Sequence, residues 1–306
     1  MTTPLRPPLP PTPPPFGLPF YYGTLTNVGV NYLVEPARVQ AFLAGTGLHL
    51  ALMRPDRDQA GRFACVSYNF QLYFAQTGTG YGVTQELEIN LVVYPEGAAP
   101  FAPEVTFREY LMGLEQTKLY GNHRVHVACD DDFAIEAGRT LFGEPKFKAG
   151  FTTEMPSVNA NPDAAWDISC RAPTDATGKH GPVLFSFRAD LAGLTPVPSS
   201  FAPISEYGTR DGRMLVAPWN ILQPFQNYLF RPADAGRVTI AYGEDRPGLP
   251  PVASDLRMMI GEAPAASAYV VQSPPVAIQN PPYYVGPYEQ LADADAALAD
   301  LSSTFY

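Results

Sequence analysis

Positive charge is scarce in this sequence. Lys and Arg number 20 against 30 Asp and Glu, a formal net charge of −10. An acidic chain without a basic block repels phosphate backbones, which excludes nucleic acid and anionic membrane surfaces as partners. Cysteine is rarer still: Cys65, Cys129 and Cys170 stand far apart, and none belongs to a CxxC pair. A disulfide framework, a zinc ribbon and a redox dithiol are excluded with them. His123 and His126 flank Arg124. Their odd spacing puts them on opposite faces of a regular strand, and with no third ligand nearby no metal is expected. No run reaches the ~18 apolar residues of a membrane helix, and the first residues lack the charged and apolar parts of a secretory leader. Walker, GxGxxG and GxSxG motifs are all missing, so no cofactor is expected from motif. The expectation is a soluble, cytoplasmic protein.

Proline, by contrast, is abundant: 34 of 306 residues, nine of them among the first 19. That opening segment must be extended or polyproline II. Its PxxP spacings suit an SH3-like groove, and the plainer reading is an arm laid on the protein or on a neighbouring subunit. A second proline cluster runs from Pro274 to Pro287. Between them lies a chain of ordinary composition, 46% hydrophobic and 12% aromatic overall, without an internal repeat. The simplest partition is an arm over 1–19, one domain over 20–285 and a terminal helix over 286–306.

Strand periodicity dominates the middle. Ala64, Val66, Tyr68, Phe70, Leu72 and Phe74 alternate with mostly polar residues. Leu87, Ile89, Leu91 and Val93 alternate with Glu86, Glu88 and Asn90. A period of two is a strand signature. Further strands are expected over 124–129, 146–153, 166–171, 183–189, 214–217, 237–242 and 268–272. Helices are expected over 36–43, over 105–119 with Gly121 as its stop, from Asp131 or Asp132 to Leu141, and over 287–301. Short strands parted by Gly, Pro, Asn and Asp predict a mainly β fold, antiparallel and curled or closed.

One segment points to chemistry. It reads Ala137-Gly138-Arg139-Thr140-Leu141-Phe142-Gly143-Glu144-Pro145-Lys146-Phe147-Lys148. A helix ends, a Gly-x-Pro turn follows, and Lys146 opens a strand beside Phe142 and Phe147. A lysine among apolar neighbours loses solvation of its charged form, which lowers its pKa. The neutral amine attacks a ketone to give a Schiff base, and the iminium accepts the electron pair of a breaking C–C bond. Read from spacing alone, such a lysine is also an ordinary solvated residue at a strand edge.

The helix ending in Ala-Gly-Arg, then Gly-x-Pro-Lys, resembles the active-site signature of the acetoacetate decarboxylase superfamily. The resemblance covers residues ~20–260, and its specific part is the lysine segment. It implies a closed, cone-like β fold with flanking helices, usually oligomeric, and it gives Lys146 the Schiff-base role. It also implies a carboxylate on an earlier strand, for which Glu86 in Thr84-Gln85-Glu86-Leu87 is the best match. No cofactor is implied, because the lysine is itself the electron sink.

The sequence departs from the decarboxylase proper at three places. Phe147 stands where a second lysine follows the nucleophile, with Lys148 one place further on. No arginine occurs between Thr26 and Asn31, where the family has one for the substrate carboxylate. Glu144 stands at a position that is often aromatic. These departures point away from acetoacetate and toward lyase branches that run aldol, dehydration or hydration chemistry, where Glu144 would move protons. Arg124, Arg171, Arg210 and Arg213 are candidate replacements for the missing arginine.

Lys146, Glu86 and Glu144 are therefore the expected catalytic residues. Arg139, Phe142, Phe147 and Lys148 are expected at the substrate, Arg139 reading also as an anchor for its helix. Glu86, Glu88 and Asn90 form one polar strand face, facing either solvent or the interior of a barrel. Trp219 reads as core or interface, and Tyr81 and Tyr120 as possible pocket walls. The expected function is a Schiff-base-forming lyase on a small oxo acid, in a homo-oligomer. The alternative is a non-catalytic small-ligand binding or scaffold protein on the same fold.

Overall fold

A computed structural model describes residues 9–77, 80–156, 165–173, 181–200, 202–273 and 277–285. The first strands are β1 (Phe20–Val34), β2 (Leu48–Leu50), β3 (Ala64–Thr77), β4 (Gly80–Pro95), β5 (Gly121–Cys129) and β6 (Lys146–Lys148). β7 (Gly150–Glu154), β8 (Ala165–Arg171), β9 (Val183–Asp190), β10 (Val197–Ser199), β11 (Ile204–Arg210) and β12 (Arg213–Ile221) follow. The last are β13 (Phe225–Leu229), β14 (Val238–Tyr242), β15 (Ala265–Ser273), β16 (Ala277–Gln279) and β17 (Tyr283–Tyr284). Among the described residues three short α-helices accompany them: α1 (Phe107–Leu111), α2 (Asp132–Ala137) and α3 (Val252–Ile260).

The alternation in β3 and β4 builds the centre. The two strands pair antiparallel, with Gln71 opposite Glu86 and Asn69 opposite Glu88. On one face Tyr68, Phe70, Leu87, Ile89 and Leu91 are fully buried. They pack on the second sheet, made of β7, β8, β9 and β14. The Tyr68 ring lies 4.7 Å from Phe187, and Phe70 lies 5.6 Å from Phe151. Burying aromatic side chains of this size stabilises by about 1.5–3 kcal/mol each. The opposite, polar face is buried too: Asn69, Gln71, Glu86, Glu88 and Asn90 are all among the buried residues. It lies inside the large sheet and not against water.

The fold is mainly β, but a single closed antiparallel barrel is not what forms. The large sheet of thirteen described strands keeps edges at β10 and β2, and β5 runs parallel to β11 and β6. Four strands separate into the second sheet. The physical reason is the helical turn between β5 and β6: a connection that crosses over returns its strand parallel.

The helices are shorter than periodicity suggested. The 36–43 segment is two 3₁₀ turns, Pro36–Arg38 and Gln40–Leu43. The 105–119 pattern forms only α1, capped by Thr106, whose hydroxyl accepts from Glu109 N–H while Glu109 accepts from Thr106 N–H. Gly113, at φ 74°, ends it early. α2 begins where Asp131 accepts from Ala134 N–H at 2.7 Å, and it continues as a π turn over Gly138–Phe142. β1, β11 and α3 lie where no element was expected, and residues 287–301 lie outside the described residues. Among the described residues no helix is long and apolar enough to cross a membrane. The described part of the arm lies on this chain: the Phe16 ring is 5.3 Å from Phe133, and Arg210 donates to the Pro11 carbonyl at 3.1 Å.

Candidate active site

The π turn carries the chain from α2 to β6. Its end, Gly143, takes φ 66°, a left-handed conformation that glycine adopts without strain. Lys146 then enters β6 opposite Val127 of β5, and Val127 is opposite Glu88 of β4. Residues directly opposite share a face, so Lys146 joins the polar interior face. Lys146 Nζ donates to Glu86 Oε2 at 2.7 Å and stands 3.2 Å from Glu144 Oε2. Tyr73 O–H donates to the same Glu86 oxygen at 3.1 Å. All lie at a cavity of about 270 Å³, with Phe20, Tyr22, Phe133, Phe142 and Trp219 on its apolar walls.

Arg124 reaches this face through a bulge. The β4–β5 register shifts so that Ile89 is opposite His126 while Asn90 is opposite Arg124, which leaves Val125 unpaired. The extra residue turns Arg124 inward. Its Nε lies 2.9 Å from Glu88, Nη1 lies 3.0 Å from Glu144 and Nη2 lies 2.5 Å from Glu206. Arg124, Glu88, Glu144 and Glu206 are therefore one network, and Glu144 joins it to Lys146. Arg171, Arg210 and Arg213 serve elsewhere: Arg171 binds Thr152 and Gly181, Arg210 the arm, and Arg213 the Tyr284 ring.

The bulge also corrects the histidines. His123 and His126 pair opposite Leu91 and Ile89 and so share a face despite their odd spacing. His126 Nε2 lies 2.7 Å from Asp255 of α3. Among the described residues no group of three or more His, Cys, Asp or Glu is placed to hold a metal.

Electrostatics reverse one expectation. Apolar burial was expected to lower the Lys146 pKa. Burial does pull it down, but Glu144 and Glu86 outweigh burial and hold the ammonium well above its ordinary value. Burial pushes the Glu86 carboxyl up, against the pull of Lys146. Glu206 is pushed up to about 8 by burial, with Arg124 opposing. Glu88 is lowered: burial works against it, but Arg124 and the side-chain N–H groups of Asn69 and Asn90 prevail. The arrangement can hold a charged amine against a carboxylate able to take its proton.

The remaining predicted residues divide. Phe142 lines the cavity. Phe147 packs in the main core between the sheets. Lys148 does not line the cavity; its Nζ donates to the Asp130 carbonyl at 2.7 Å and to Asp132 at 2.9 Å. Arg139 donates to the Lys146 backbone carbonyl at 2.7 Å and so fixes the strand that carries the lysine. Tyr120 donates to the Pro103 carbonyl, away from the cavity, and the Tyr81 side chain lies outside the described residues. Glu206, Tyr22 and Tyr73 carry no motif; Tyr73 follows Asn69 and Gln71 in the period of β3, the one signal that could have found it.

No family model and no curated protein matches this sequence. Solved structures do. The enduracididine biosynthesis enzyme MppR complexed with pyruvate superposes with a TM-score of 0.56 at 13% identity, covering 89% of this chain and 91% of that one. An acetoacetate decarboxylase-like enzyme from Sphingomonas wittichii gives 0.54 at 14%, covering 88% and 92%. Acetoacetate decarboxylase from Legionella pneumophila gives 0.54 at 11%, covering 92% and 93%. The chain has the acetoacetate decarboxylase-like fold. In that fold's setting, the lysine segment singled out by sequence stands at the cavity with its two carboxylates.

Proposed function

We propose that this protein is a Schiff-base-forming lyase in which Lys146 condenses with the carbonyl of a small oxo compound. The observation that carries the reading is Lys146 Nζ at 2.7 Å from Glu86, buried at a cavity with aromatic walls. Glu86 takes one proton from the ammonium, and the free amine attacks the carbonyl carbon. An N–C bond forms. Glu86 returns this proton to the former carbonyl oxygen and then carries a second one to it from the new N–H2 group, the C–O bond breaks and water leaves. One ammonium and one ketone thus give one iminium and one water, with no net proton. The iminium then draws electrons from a bond to the neighbouring carbon, for decarboxylation, aldol cleavage or dehydration. Glu144, bound to both cations, is the second proton carrier. The reading inherited with the fold is an oxo acid, and one similar structure, MppR, has pyruvate bound.

The upward shift of Lys146 favours a second reading, a binding protein that holds a carbonyl ligand without condensing with it. Borohydride separates the two. Incubation with small ketones and oxo acids followed by reduction adds the ligand's mass to Lys146 if the lyase reading holds. Labelling elsewhere, or none while the ligand still binds, leaves the binding reading.

A further inference from the structure

The two cations at the cavity, Lys146 and Arg124, form one cluster with four carboxylates within ion-pair distance, Glu86, Glu88, Glu144 and, behind Arg124, Glu206, and Asp131 adds a further carboxylate to the lining. With every carboxylate ionised the cluster carries a surplus of two negative charges. With Glu206, whose carboxyl burial pushes up to about 8, protonated, a surplus of one negative charge remains. Neither state offers positive charge to an incoming anion. All three nitrogens of Arg124 already face carboxylates, and among the described residues the cavity lining contains no third cation. Burying one more carboxylate here would cost its desolvation with no ion pair in return.

The same cavity has spare donors. Trp219 and Gln279 are opposite each other across β12 and β16, both more than nine-tenths buried, and both line the cavity. Trp219 Nε1 and Gln279 Nε2 have no hydrogen-bond partner among the described residues. Two buried, unpaired N–H groups on residues opposite each other are costly unless a ligand satisfies them, at about 1–3 kcal/mol each. They call for an oxygen acceptor.

We propose that the substrate is an uncharged ketone or aldehyde bearing a second oxygen, a hydroxyl or carbonyl, which Trp219 and Gln279 bind while its carbonyl meets Lys146. This rests on Lys146 being the nucleophile and replaces the oxo acid by a neutral oxygenated carbonyl compound.

The test is borohydride labelling of Lys146 by matched compounds, each rate normalised to that of butylamine in solution. 4-Hydroxy-2-butanone is paired with acetoacetate and 5-hydroxy-2-pentanone with levulinate, with 2-pentanone as the control lacking an acceptor. The hydroxyketones are expected to label at least tenfold faster than their matched acids, and faster than 2-pentanone. In variants that melt as the parent does, Trp219→Phe and Gln279→Leu are expected to bring the ratio of hydroxyketone to 2-pentanone labelling, both measured in the same variant, toward one. Acids labelling as fast as hydroxyketones at both lengths overturn the proposal, as does a hydroxyketone preference that survives both variants. Equilibrium binding of the same compounds by ligand-observed NMR reads the preference without the covalent step. No adduct with any compound, together with selective hydroxyketone binding, removes the lyase reading but keeps the neutral ligand. Selective binding of the acids overturns the neutral ligand whatever the lysine does.

Discussion

A β-carbon at Gly138 would stand 2.5 Å from Lys146 Cδ and 2.5 Å from Glu144 Oε2. Gly138 has ordinary helical dihedrals, φ −58° and ψ −46°, so its role is space and not backbone freedom. The π turn lies against the lysine stem, and only a residue without a side chain lets both pass. Gly138→Ala is predicted to displace Lys146, at an overpacking cost of about 1–3 kcal/mol. Borohydride labelling should fall at least tenfold while the variant still folds, as circular dichroism and mass spectrometry would show. Unchanged labelling would mean that the lysine does not need this passage.

Glu86→Gln should act on the proton and not on the fold. Glu86 raises the Lys146 pKa, and in the proposed mechanism it receives the lysine's proton, so its removal is expected to do two things. The midpoint of labelling against pH moves down, because one of the two anions holding the ammonium is gone. The maximal rate falls by about 10²–10⁴, the usual worth of a positioned acid–base group. A pH–rate profile reads both changes. A midpoint that stays or rises would remove Glu86 from the pair.

Arg124 is the keystone of the acidic network. Arg124→Met would leave Glu88, Glu144 and Glu206 buried without their shared cation. Breaking a buried ion pair from one side costs about 3–5 kcal/mol. Urea denaturation is predicted to show a loss of that size. Glu88→Gln made together with Arg124→Met should recover part of it, since one fewer charge is left uncompensated.

Stability should fall as pH rises through the range where Glu206 titrates. Its folded pKa of about 8 lies above the ordinary 4.5, so the folded protein holds this proton more tightly than the unfolded chain. The favourable contribution is fully present below about 4.5 and is lost as pH rises through about 8. Glu206→Gln removes the group and should flatten that part of the profile, by up to about 1.4 kcal/mol per pH unit. Denaturation at several pH values across the window checks it. An equally steep fall in the variant would assign the dependence to another group.

Lys148 should matter little. It is partly exposed, and its partners are a backbone carbonyl and the exposed Asp132 carboxylate. Lys148→Met is predicted to cost less than about 1 kcal/mol, as surface ion pairs do, and to leave Lys146 labelling unchanged. A large loss of labelling would show that its charge is felt in the cavity.

Much of the candidate site is legible in the sequence, and the illegible part has definite causes. The Gly-x-Pro-Lys turn marks Lys146, and the alternation of β4 puts Glu86 and Glu88 on one face before any fold is known. Glu206 is invisible because β11, in Ile204–Arg210, mixes polar and apolar residues without strict alternation and meets β5 only by a parallel, long-range pairing. Arg124 is visible as a candidate among four arginines but not as the one that enters. Strand periodicity would set Arg124 and Val127 on opposite faces, and a single bulged residue, Val125, puts them on the same one.

The sequence by itself determined which residues alternate together, where α2 begins and where Lys146 stands. It did so because these follow from local dihedral preferences and a period of two. Tertiary structure alone decided that the Glu86–Asn90 face points inward, that the Lys146 pKa rises and does not fall, and that both cations are matched by carboxylates. Those outcomes depend on what covers a face and on which charges distant strands bring within 3 Å, and no local pattern carries that information.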